Sequence, residues 1–131
     1  MLTVHLGAAV TLLVQALCMG IYMSVRFRAA ALQGPQSYAR TLKSNEFQVA
    51  HAVQLNNAEW TPMFVAPLLY LHSVAAGSTL AAGLTVIGCC GYVATKISAD
   101  TTVTTISAPF SILRYVALAW LIVDMVHASS G

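Results

Sequence analysis

Gln54-Leu55-Asn56-Asn57-Ala58-Glu59-Trp60-Thr61-Pro62 sets three amide side chains, a carboxylate and a proline inside a stretch that otherwise reads as a membrane-spanning helix. Polar groups are costly there. In hydrocarbon the backbone must satisfy itself, and an ionisable side chain needs a partner or a water-filled cavity. Glu59 is therefore the first functional candidate, and the sequence around it decides what kind of protein it belongs to.

The chain has 131 residues, 58% hydrophobic and only 8% charged, against about 25% charged in an average soluble domain. This composition predicts a membrane protein with a single domain over residues 1–131. A spanning helix needs about 20 apolar residues, and four such stretches with short connectors use up nearly the whole length. The first, Leu2–Val25, has no basic residue ahead of it and no small-residue cleavage pattern, so it reads as a retained helix. A net charge of +2, with the basic residues grouped by membrane side and not along a stripe, excludes a nucleic-acid partner. Cys18, Cys89 and Cys90 all lie in apolar stretches, so packed free thiols are favoured over a disulfide framework or a metal site.

The predicted fold is all-α: an integral membrane four-helix bundle, antiparallel, with helices over about 2–28, 45–72, 73–97 and 107–128. Residues 31–44 carry the only Gly-Pro break and read as a surface loop. Asn45 is placed to cap the second helix, Glu46 suits its positive end, and Pro62 and Pro67 predict a kink beside the polar cluster. The third helix is rich in small residues, with Gly77, Ala81 and Thr85 at four-residue spacing and Gly83 and Gly91 eight apart, which predicts close helix contacts. Residues 98–105 read as a short turn, and Pro109 falls in the first turn of the last helix. Arg26, Arg28, Arg40, Lys43 and Lys96 fall on the side of connectors 1–2 and 3–4, which the positive-inside rule makes the cytosolic or equivalent side, with both termini opposite.

On a helical period Gln48, Ala52, Asn56 and Glu59 share a face, with His51 and Gln54 beside it. Two readings stand level: a site for a small polar ligand, or hydrogen bonds to neighbouring helices that fix packing. Arg114 is expected to form a structural ion pair with Glu59, leaving neither charge isolated. Asp124 and His127 are expected at a solvated helix end, and His5 and His72 at the interface. Trp60, Trp120, Tyr70 and Tyr115 fit either aromatic belts or core. With no glycine-rich phosphate loop, nucleophile elbow or His-Glu metal motif, nucleotide hydrolysis, serine hydrolysis and zinc catalysis have no support in the sequence.

The order Gln54-Leu55-Asn56-x-x-Glu59-x-x-Pro62 on a second helix, after a basic end to the first helix and a Gly-Pro loop, resembles the MAPEG family. These are membrane-associated proteins in eicosanoid and glutathione metabolism. The resemblance implies a trimer of four-helix protomers, with glutathione held between subunits in the cytosolic half of the membrane and a lipophilic co-substrate entering from the bilayer. Gln54, Asn56 and Glu59 match the family's glutathione-contacting positions, and Trp60 stands where an aromatic is often found. The arginine that the family places seven residues before the glutamate is Ala52 here; His51, turned about 100° around the helix, replaces it in part and only when protonated. The family's thiolate-stabilising arginines and tyrosines, between the end of the third helix and the start of the fourth, have Tyr92, Lys96 and Arg114 as their substitutes.

Two functions follow from the resemblance. One is a glutathione-dependent transferase or peroxidase acting on lipophilic substrates. In it Gln54, Asn56, Glu59, His51 and Trp60 hold the tripeptide, and Tyr92, Lys96 or Arg114 polarises its thiol. The other is a non-catalytic lipid-binding module or a structural subunit of a larger membrane complex. Membrane lipids and a homotrimer, or partners in such a complex, are the corresponding expected partners.

Overall fold

The apolar run at the N-terminus forms α1 (Val4–Leu32), capped by Thr3, whose Oγ1 accepts from the Leu6 N–H at 3.3 Å. The computed structural model describes residues 3–99 and 107–131, and the chain is all-helical over them, with five helices. α1 passes its expected end at residue 28, because Ala29-Ala30-Ala31-Leu32 are strong helix formers and nothing breaks the helix before Gly34.

The expected loop over 31–44 is instead largely helical: α2 spans Pro35–Leu42. Gly34 turns the chain at φ 97°, which a residue with a Cβ rarely adopts, and Pro35 then supplies a pre-set helical φ in the first turn. The Gly-Pro pair starts a helix here where the sequence reading took it as a break. α3 (Asn45–Ser73) follows, capped by Ser44 and not Asn45, with Ser44 Oγ accepting from the Phe47 N–H at 3.3 Å and Glu46 in the first turn. It continues through Pro62 and Pro67.

α3 ends in a turn over 74–78, with Ala75 at φ 53° and Gly77 at φ 94°, so α4 begins at Thr79 and not at residue 73. α4 covers Thr79–Ala99 and α5 covers Ala108–Ser130, with Pro109 in its first turn. Most of the turn expected over 98–105 lies outside the described residues. α1, residues 79–98 of α4, and α5 are long and apolar enough to cross a membrane; α3 has the length but carries the polar cluster.

Two pairs of contacts fix the helix directions. α1 and α3 are antiparallel, pinned at one end by Thr3 Oγ1 to His72 Nδ1 at 2.6 Å and at the other by Arg26 to Glu46 at 3.0 Å. α4 and α5 are antiparallel, pinned by the Ser78 N–H donating to Asp124 Oδ2 at 2.8 Å and by the seating of Arg114 and Phe110 on Gly88 and Gly91. Asp124 thus holds the start of α4, whereas the sequence placed it at a solvated end. A large apolar cluster including Leu12, Phe64, Leu68, Leu71 and Leu121 fills the half nearer the N-terminus of α1. A smaller one of Met19, Val49, Val53 and Val93 lies toward the other half, followed by Met23, Phe47 and Ala50.

The small-residue face of α4 is only partly the expected one. Ala81 and Thr85 are fully buried, but Gly83 has open space where a Cβ would go, and Gly77 lies outside the helix. Close approach falls to Gly91, where a Cβ would overlap the Phe110 ring, and to Gly88, where it would lie 3.1 Å from Arg114 Cγ. All three cysteines are free; Cys89 is buried as expected, Cys90 half-buried, and Cys18 exposed on the outer face of α1.

Candidate functional site

Arg114 lies two turns into α5 at 4% exposure, where an isolated guanidinium would be strongly disfavoured. Side chains from two other helices accommodate it. Its Nη1 donates to Asn56 Oδ1 on α3 at 2.8 Å. The guanidinium carbon lies 3.9 Å from the centroid of the Tyr92 ring on α4 and 4.5 Å from that of Trp60 on α3. Each such contact contributes about 0.5–2 kcal/mol, the upper end applying where the cation is desolvated, so the two rings replace part of the lost hydration. Trp60 is itself stacked on Phe64 at 5.7 Å and meets Tyr115 edge-on at 4.9 Å, which fixes its plane and packs it, half-buried, against the main apolar cluster.

The expected ion pair between Arg114 and Glu59 does not form. Asn56 and Glu59 differ by about 60° around the helix, and Arg114 meets the nearer amide, while Glu59 stays exposed on the outer face of α3 with Ala52, Leu55 and Met63. Arg114 Nε is buried with no hydrogen-bond partner, and no carboxylate pairs with the guanidinium among the described residues.

The residues predicted from the sequence therefore separate into groups. Tyr92, Lys96 and Arg114 converge on one aromatic ring, with the buried Lys96 Nζ 5.9 Å from the Tyr92 centroid. Asn56 and Trp60 join them. Glu59 faces outward, and Gln54 is half-buried beside it. His51 is packed edge-on against Phe27 at 5.5 Å and lies 6.3 Å from Phe47, toward α1, so it does not stand in for the missing arginine beside Arg114.

Two further clusters went unread in the sequence. Arg26 donates from Nη1 to Tyr22 Oη at 2.8 Å and to Glu46 at 3.0 Å, beside a cleft of 240 Å³ lined by Tyr22, Glu46, Val49, Ala50 and Ile97. The i, i+4 spacing of Tyr22 and Arg26 was a usable signal for the first half of that network. At the opposite end His5 is buried against Leu71 and the Gly77 turn, where the sequence placed it at the interface. Nothing local marks that burial, because it depends on where the α3–α4 turn folds back.

The fold and the site define an all-helical protein with three helices fit to cross a membrane and a buried, aromatic-sandwiched arginine at the meeting of α3, α4 and α5. Comparison with known proteins matches no family model, no curated protein and no solved structure.

Proposed function

We propose that this chain is a MAPEG-like multi-pass membrane protein that binds glutathione and uses Arg114 to stabilise its thiolate toward a lipophilic electrophile or peroxide. In this reading α1, α3, α4 and α5 form an antiparallel four-helix membrane bundle, with the α1–α3 and α4–α5 connectors on the cytosolic or equivalent side. The observation that carries it is the state of Arg114: a buried cation, oriented by Asn56, Tyr92 and Trp60, with a free Nε donor and no carboxylate. Preorganised positive charge of low solvent access is what a developing thiolate requires. Lys96, near the other contact of the Tyr92 ring, adds to the same field.

Glu59 supports an assembly in the same reading. A carboxylate on an outward helix face in hydrocarbon needs a partner from outside the chain, and further copies of the protein, as in a homotrimer, supply one. Gln54 and Glu59 then hold the tripeptide between subunits. The exposed Glu59 also favours the second reading, in which the chain is a non-catalytic subunit whose α3 face docks in a membrane complex.

Calorimetry of glutathione against the purified, detergent-solubilised protein tests the first reading. Binding in the micromolar to low-millimolar range is expected, with loss in Glu59→Gln. Arg114→Gln is expected to remove the ultraviolet thiolate absorbance of the bound tripeptide. A wild-type protein that does not bind glutathione overturns it and leaves the docking subunit.

A further inference from the structure

Three of the four long helices carry polar side chains at one common depth, between the two apolar clusters. The pins between α1 and α3 set residue 15 opposite residues 57–60, and the seating of Arg114 on Gly88 sets the α4–α5 level. At this level stand Gln15 on α1, Asn56 and Asn57 on α3, and Arg114 on α5. The apolar cluster on one side ends at Leu12, Phe64, Cys89 and Ala117, and the one on the other begins at Met19, Val53 and Val93. The layer lies roughly 16 Å from the start of α1 at 1.5 Å per residue, a little over a third of the way along its 29 residues. Measured from the start of α1, that distance is about half the thickness of a hydrocarbon core of about 30 Å.

Two atoms of this layer form a complementary pair of orphans. Gln15 Oε1 is buried and receives no hydrogen bond; Asn57 Nδ2 is buried and donates none, on a side chain 4% exposed. Thr61 Oγ1 gives its proton to the Asn57 carbonyl at 2.6 Å, so it has none for Gln15 Oε1, and Asn57 Nδ2 does not reach its remaining lone pairs. An unmade hydrogen bond in a low-dielectric interior is expensive, and buried polar atoms are nearly always satisfied by protein or by ordered water. We propose that an internal water bridges α1 and α3 here, donating to Gln15 Oε1 and accepting from Asn57 Nδ2. Water fits by its chemistry: a metal cation would be repelled by the amide N–H, and an anion by the amide oxygen, while one water meets both. The apolar clusters on either side isolate the site from bulk solvent, so the bridge is long-lived and fixes the register of α1 on α3.

The bridge does not depend on glutathione, and its test needs no ligand. In selectively 15N-asparagine-labelled protein in deuterated detergent, the side-chain amide of Asn57 is expected to show a cross-relaxation peak at the water frequency. The signal is assigned by its disappearance in Asn57→Leu. Absence of that peak in the wild-type protein overturns the proposal. The thermal midpoints of Gln15→Leu, Asn57→Leu and the double variant form the second measurement. Each single change strands the other group and is expected to lower the midpoint, while the double change removes both groups with their water and is expected to recover at least half of the loss. A double variant that shows the sum of the two single losses overturns the bridge, because the groups would then be energetically independent.

Discussion

Adding one methyl group to α4 at either of two glycines should change stability in opposite directions. Gly83 has nothing within 4 Å of the position a Cβ would occupy, whereas at Gly91 the Cβ would collide with the edge of the Phe110 ring. Glycine in a helix interior costs about 0.5–1 kcal/mol relative to alanine, so Gly83→Ala should stabilise by up to that amount. Gly91→Ala gains the same propensity but forces the Phe110 ring aside or α5 outward. Overpacking of this kind costs about 1–3 kcal/mol. If the ring swings out instead, it loses part of the burial that is worth about 1.5–3 kcal/mol for a complete phenylalanine side chain, and only part because Phe110 is half-buried. The expected net effect is a loss of about 1–2 kcal/mol once propensity is credited. Equilibrium unfolding of the three proteins in mixed micelles measures the difference. Phe110→Leu in the Gly91→Ala background should recover part of the loss, because the two sites share one contact. A Gly91→Ala protein as stable as Gly83→Ala would refute the seating of α5 on α4 described above.

Ala52→Arg restores a cation seven residues before Glu59; it should tighten glutathione binding by at least several-fold in calorimetry if the α3 face is a glutathione site, and an unchanged affinity would count against that site. Ser44→Ala removes the cap of α3 and should cost about 1 kcal/mol, read as a lowered unfolding midpoint, whereas Asn45→Ala should cost less because Asn45 is not the cap. Gly77→Ala places a Cβ at φ 94° and 2.9 Å from His5 Nε2. It should destabilise by more than the roughly 1–2 kcal/mol of left-handed strain alone. Glu46→Gln weakens an ion pair whose carboxylate side is 63% exposed, so its stability cost should stay under about 1 kcal/mol and shrink with added salt.

The sequence by itself determined that the described chain is all-helical and that three of the four expected spans are long and apolar enough to cross a membrane, because both follow from local composition and the fixed rise of a helix. It placed α3 and α5 within one or two residues of their ends, and Pro109 in its first turn. It also marked Asn56, Trp60 and Arg114, because an amide, an aromatic and a charge in apolar stretches stand out without any knowledge of contacts, while Tyr92 and Lys96 entered as site residues only as substitutes that the family resemblance implied. It misread residues 35–42, where a Gly-Pro pair permits either a break or a helix start and only the continuation of the chain decides. Partner choice was beyond it. That Arg114 would meet Asn56 and two rings in place of Glu59, that Asp124 would hold the start of α4, and that His5 would be buried under Gly77 all depend on the register of antiparallel helices. Register is set by how close the helix backbones come, and on α4 and α5 that is decided by Gly88 meeting Arg114 and Gly91 meeting Phe110, residues 26 and 19 positions apart whose fit no local pattern encodes.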